Sequence, residues 1–192
     1  MAQTPSTMLP LGTKLPQFSL PDALTERLVA STEFEHARAL LVMFICNHCP
    51  YVVHVRSEFG RLARDYGSKG LAIVAINSNS DITHPQDGPV AMKKLALEQQ
   101  WGFPFLFDAS QQVAKAFQAA CTPEFYLFDH NQALAYRGQL DDARPNNGKP
   151  VDGHDLRAAI DAVLAGRAPS PEQRPSVGCN IKWHPGQEPS YR

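Results

Sequence analysis

Two runs along the chain, residues 40–45 and 71–76, are apolar at every position. Short runs of this kind predict strands covered on both faces. Between them Val52, Val55, Phe59, Leu62 and Tyr66 recur at three- and four-residue intervals, the stripe of one helix face, while Arg56, Arg61 and Arg64 fall mostly off it. Gly67 and Gly70 end this helix. Strand, helix and strand in about 40 residues make a right-handed parallel crossover.

The pattern continues with a polar loop at 77–88, a helix at 90–100, a short strand at 103–107 and a helix at 110–119. Strands at 124–129 and 134–137, joined by His130-Asn131-Gln132, form an antiparallel hairpin. A last helix at 152–165 turns Leu156, Ala159, Ile160 and Val163 inward, and Gly166 stops it. Upstream, 15–22 and 27–30 predict an N-terminal hairpin, and Thr32 with Glu35 a capping box. The expected class is therefore α/β, a central mixed sheet flanked by helices. Residues 10–166 form one domain, and 167–192 are a tail holding five of the sixteen prolines. The tail is expected to be extended and packed on the domain, because Val177, Ile181 and Trp183 need cover.

Composition narrows the function classes. A net charge of −1 without a basic stripe argues against nucleic acid. Four cysteines in 192 residues are too few for a disulfide scaffold. No stretch approaches the roughly 20 apolar residues of a membrane span, and residues 1–16 lack a signal-peptide core. The expectation is a soluble cytoplasmic protein with reduced resting thiols.

The chemistry concentrates at Cys46-Asn47-His48-Cys49-Pro50, between the first buried strand and the long helix. Unpaired N–H groups and the helix dipole stabilise a thiolate at such a terminus. Cys46 is expected to have the depressed pKa, and Cys49 not. Two intervening residues let Cys49 attack a mixed disulfide formed at Cys46. A zinc half-site is disfavoured, because no second pair of ligands follows at short spacing and Cys121 and Cys179 are isolated. Strand direction brings the dithiol, the 77–88 loop, Thr122-Pro123 and the loop 139–147 to one sheet edge, where open α/β sheets bind ligands.

Cys46–Cys49 with Thr122-Pro123 opening an antiparallel strand resembles the thioredoxin fold. The N-terminal Leu15-Pro-Gln-Phe-Ser-Leu-Pro-Asp22 and the inserted helix-strand resemble the AhpC/TSA-type redoxins, the peroxiredoxin-like branch. The segments Asn47-His-Cys-Pro-Tyr-Val52, Cys121-Thr-Pro123, Asp141-Asp-Ala-Arg-Pro145 and Gly178-Cys-Asn-Ile-Lys-Trp183 together resemble a bacterial subgroup of that branch. The resemblance implies a cis Pro123 facing the dithiol and shaping a substrate groove. It implies a thiol–disulfide oxidoreductase serving cell redox homeostasis, in which Cys46 attacks, Cys49 resolves and His48 tunes the thiolate. No cofactor is needed. Partners would be a protein or small-molecule disulfide and a thioredoxin- or glutathione-type electron donor; the oligomeric state stays open.

Two alternatives stand beside this. A thiol peroxidase with antioxidant activity is one, but the peroxiredoxin pattern P-x-x-x-T/S-x-x-C fits neither Cys46 nor Cys49. The other is a copper-binding module using Cys46, Cys49 and a histidine. Single residues carry their own alternatives. Cys121 is either near the dithiol or a small buried residue. Cys179 is either a thiol able to pair with Cys121 or reach the dithiol, or mere packing beside Trp183. Thr122, Asp141, Asp142 and Arg144 are substrate-contact candidates, the last three otherwise a solvated loop. Glu124 is the nearest candidate for a carboxylate proton acceptor behind Cys49. His54, His84 and His184 are assigned no role.

Overall fold

The computed structural model describes residues 3–191. Its central sheet has five strands in the order β6-β5-β4-β8-β9. These are β4 (Ala39–Phe44), β5 (Leu71–Asn77), β6 (Phe105–Phe107), β8 (Glu124–Asp129) and β9 (Leu134–Gly138). β4, β5 and β6 are mutually parallel, whereas β8 runs antiparallel to both β4 and β9. β2 (Ser19–Pro21) and β3 (Leu28–Ala30) form a separate hairpin whose turn bridges to β6 through Asp22 and Leu106.

Period-two alternation divides the core between two faces. Leu41 and Met43 on one face of β4, and Ile45 just beyond it, pack with Val52, Val55, Phe59 and Leu62 of α1 (Pro50–Tyr66). Leu156 and Ile160 of α4 (His154–Leu164) and Met92 of α2 (Pro89–Glu98) share that layer. Leu40, Val42 and Phe44 face the other way, against Val113 and Ala114 of α3 (Gln112–Ala116) and the neighbouring Phe117. Ile181 and Trp183 of the tail complete this second layer. Both faces being covered is why β4 is buried at every position.

Several elements differ from the sequence expectation. The helix expected at 110–119 spans only Gln112–Ala116, because Gln111 and Gln118 adopt left-handed backbone on either side. Strand β6 begins at Phe105, after Pro104, which has no N–H for the ladder. The first 3₁₀ turn, Ser31–Phe34, is closed by the Glu33 carboxylate accepting the Ala30 N–H at 2.9 Å, not by Thr32 and Glu35.

The tail holds a strand of its own. β10 (Val177–Asn180) lies between β1 (Gln3–Pro5) and β7 (Cys121–Thr122), antiparallel to both. This small sheet joins the two ends of the chain beside the start of α1, where the Gln3 side-chain amide donates to the Tyr51 hydroxyl at 2.7 Å.

Candidate active site

Cys46 follows the carboxyl end of β4, and Cys49 is the N-cap of α1, with Pro50 in the first turn. Both thiols are fully buried. The Thr122–Pro123 bond is cis, and Thr122 touches both sulfurs. Its hydroxyl is 3.3 Å from Sγ of Cys46, and its carbonyl accepts from Sγ of Cys49 at 3.2 Å.

The two cysteines titrate as one system. Their mutual hydrogen bond is the largest cause for each: it pushes Cys46 well above the ordinary thiol range and brings Cys49 down to about 5. Burial and the Asp87 charge raise Cys46 further. Burial opposes ionisation of Cys49, while hydrogen bonds from the Cys179 side chain and from the Val52 and Cys179 backbone favour it. Ionising Cys49 forfeits its donation to Thr122, one bond against these four. The direction of the two shifts favours the thiolate on the N-cap sulfur of Cys49, whereas the sequence reading expected it on Cys46.

His48 is held by a residue that sequence reasoning missed. Its Nδ1 lies 2.5 Å from Oδ2 of Asp87, a fully buried carboxylate from the loop after β5. Asp87 also accepts the backbone N–H of Asn47 at 2.9 Å and of His48 at 3.3 Å, and the Asn79 side-chain amide at 2.8 Å. Ligand atoms of Cys46, His48 and Asp87 all lie within 4.8 Å of one another. A carboxylate therefore stands beside Cys46, whereas the sequence reading looked for one behind Cys49 and named Glu124. Glu124 instead accepts the N–H groups of Ala120 and Cys121 and braces the turn into Pro123. The available signal for Asp87 was the polar run Asn77-Ser-Asn-Ser80 at the carboxyl end of a buried strand, which opens its loop. His84 stacks on His48 with ring centroids 5.3 Å apart.

The remaining candidates separate. Cys179 lies opposite Thr122 in the β10–β7 ladder and stands near Cys49, whose ionisation it favours. Cys121 is buried and pairs with Asn180 in the same ladder; its sulfur sits 3.8 Å from the Pro123 carbonyl and 3.9 Å from Glu124. Asp141 is fully buried, not solvated: its carboxylate accepts the N–H groups of Ala143, Asp152 and Gly153 and folds the loop before α4. Asp142 pairs with Lys149 and Arg174. Arg144 hydrogen-bonds the carbonyls of Asp141 and Ala143 and lines a groove with Pro123, Tyr51, Leu140 and Val177.

The Redoxin family profile matches residues 10–153. The chain belongs to the Redoxin family. A crystal structure of an uncharacterized conserved protein from Geobacillus kaustophilus is 51% identical, with a TM-score of 0.94 over 96% of this chain and 98% of that one. A hypothetical protein from Sinorhizobium meliloti 1021 is 50% identical, with a TM-score of 0.93 over 95% of this chain and 100% of its own. A thiol:disulfide interchange protein of the thioredoxin family from Chlorobium tepidum TLS shares 15% identity and a TM-score of 0.63, over 81% of this redoxin and 99% of that chain. That likeness, with the sheet order above, gives this redoxin a thioredoxin-like fold. No curated protein sequence matches it. Among the described residues no helix is long and apolar enough to cross a membrane.

Proposed function

We propose that this redoxin is a thiol–disulfide oxidoreductase working through the Cys46/Cys49 dithiol. The observation that carries this is the shared contact of both sulfurs with Thr122: one residue, immediately before a cis proline, touches Cys46 through its hydroxyl and Cys49 through its carbonyl. Membership of the Redoxin family supports the same reading.

The chemistry follows from one proton shared between two thiols. In the reduced pair one sulfur is a thiolate, the nucleophilic form. It attacks one sulfur of a substrate disulfide, and a mixed disulfide forms as the other substrate sulfur leaves as a thiolate. The second cysteine then displaces the substrate, closing the Cys46–Cys49 disulfide. Two electrons pass to the substrate, which departs as two thiols. His48, oriented by Asp87, stands where it can exchange the Cys46 proton during these steps. The substrate would be a protein or small-molecule disulfide, and a thioredoxin- or glutathione-type dithiol would restore the pair.

The test is a side-by-side assay of the wild type, Cys46→Ser and Cys49→Ser for reduction of insulin and of oxidised glutathione, and for consumption of hydrogen peroxide. Disulfide reduction by the wild type, lost in both variants, is expected. Peroxide consumption with no disulfide reduction would overturn the proposal in favour of a peroxidase.

A further inference from the structure

The sulfur of Cys49 has a second thiol neighbour. In the antiparallel ladder Cys179 is the direct partner of Thr122, and Asn180 that of Cys121. Directly opposed residues project to the same face, and successive residues to opposite faces. Cys179 therefore shares the face on which Thr122 meets the dithiol, while Cys121 points away toward Glu124 and the Ser176 carbonyl. Cys179 is 3% exposed, and it stands near enough to Cys49 that its thiol and backbone N–H favour the Cys49 thiolate.

The strand carrying Cys179 is fixed at this distance. Gly178 passes so close to Thr122 that an added Cβ would lie 1.9 Å from the Thr122 carbonyl oxygen. Downstream, the Lys182 N–H donates to Oδ1 of Asn79 at 2.8 Å, and the Lys182 carbonyl accepts from the Ser80 N–H at 2.7 Å. Asn79 in turn donates to Asp87. The tail is thus clamped to the cis-proline turn on one side and to the loop that holds His48 on the other.

We propose that Cys179 is a third redox thiol of this site, and that it exchanges with the Cys46–Cys49 disulfide to give a Cys49–Cys179 disulfide. The proposal rests on the dithiol reading above for the first disulfide only. Sγ of Cys179 attacks Sγ of Cys49, the Cys46–Cys49 bond breaks, and Cys46 leaves as a thiolate that takes up the proton Cys179 gives up. One S–S bond forms and one breaks, no electrons enter or leave, and no further oxidant is required. In the reduced chain burial pushes Cys179 up to about 12, so its proton passes to Cys46 as the S–S bond shifts. The result ties the tail to the start of α1 and frees Cys46, beside His48 and Asp87, as a thiol.

The experiment uses the full chain oxidised with oxidised glutathione, acid-quenched, alkylated, digested without reductant and read by mass spectrometry. In the wild type the Cys46–Cys49 crosslink is expected together with the Cys49–Cys179 crosslink formed from it; absence of both would overturn the dithiol reading, and the first without the second would overturn the exchange. In Cys46→Ser, free Cys49 and free Cys179 are expected to disappear together into a monomeric Cys49–Cys179 crosslink, and that crosslink to be lost in Cys46→Ser/Cys179→Ser. Cys46→Ala, which leaves an apolar side chain in this buried position, replaces Cys46→Ser if circular dichroism shows the serine variant to be unfolded. A folded variant in which Cys49 stays glutathionylated, or pairs with Cys121 instead, overturns this proposal while leaving the wild-type crosslink intact.

Discussion

Nδ1 of His48 lies 2.5 Å from Oδ2 of Asp87, a carboxylate with no exposed surface that takes two further backbone N–H groups from Asn47 and His48 themselves. The loop between the two cysteines is therefore wrapped around a charge supplied by a distant part of the chain. Its conformation and the protonation of Cys46 depend on the same side chain.

Replacing that charge separates the two effects. Asp87→Asn keeps the size but brings a second amide donor among donors, leaving at least one buried N–H unpaired. A loss of about 1–3 kcal/mol in chemical denaturation is expected. Because the Asp87 charge is among the causes that raise Cys46, the second proton of the dithiol should leave at lower pH in the variant. Ultraviolet thiolate absorbance against pH reads this directly. An unchanged second ionisation would mean that Asp87 acts on the loop alone.

The shared proton has a signature in the redox potential. Between pH 5 and the ordinary thiol range the reduced pair holds one proton, so the midpoint should fall by about 30 mV per pH unit, and by about 60 mV per unit below pH 5. Stability follows the same linkage. Cys49 is lowered from 9.0 to about 5 on folding, so its contribution is complete above pH 9 and is lost as the pH falls to 5. The stability of the reduced protein relative to the oxidised one should decline over that window on acidification. A uniform slope of about 60 mV per unit across pH 5–9 would show that the folded pair carries no thiolate there.

The parts of the fold set by local pattern were legible. The runs 40–45 and 71–76 lie in β4 and β5 because an all-apolar run has no stable place except between two covered faces. The Thr122–Pro123 bond was expected to be cis from the resemblance to the thioredoxin fold, and it is. Partners fixed only by tertiary approach were not legible. Val177-Gly-Cys-Asn180 is a strand because β1 and β7 flank it, and its composition alone carries little β signal. Asp87 looks like any loop aspartate until Asn47 and His48 are placed above it. Nor does the helix-terminus argument, which put the thiolate on Cys46, say which sulfur becomes the cap; that is Cys49.

A further test concerns how α1, which presents Cys49, is anchored. Glu58 is 1% exposed and is held by Arg61 on its own helix and by Arg157 of α4, whose Nη2 is 2.6 Å away. Removing the carboxylate leaves Arg157 with Asp65 and Arg61 with the Val151 carbonyl, and both side chains reach solvent, at 22% and 44% exposed. Glu58→Ala should cost about 2–3 kcal/mol in urea denaturation, and Glu58→Gln less, since an amide oxygen still accepts from one arginine.

The closest backbone approach at the site gives the last prediction. A Cβ on residue 178 would lie 1.9 Å from the Thr122 carbonyl oxygen and 2.6 Å from its carbonyl carbon, both main-chain atoms of the turn that touches the two sulfurs. No rotamer relieves such a contact, so Gly178→Ala must move either β10 or the turn. Overpacking of this kind costs about 1–3 kcal/mol. The more specific outcome is local. If β10 moves, Cys179 and Trp183, 3% and 6% exposed in the native chain, become accessible while the central sheet stays intact. Gly178→Ala should therefore show faster alkylation of Cys179 and a red-shifted tryptophan emission at unchanged far-ultraviolet circular dichroism. Alkylation as slow as in the wild type, at wild-type stability, would mean that β10 does not need the glycine to sit against Thr122.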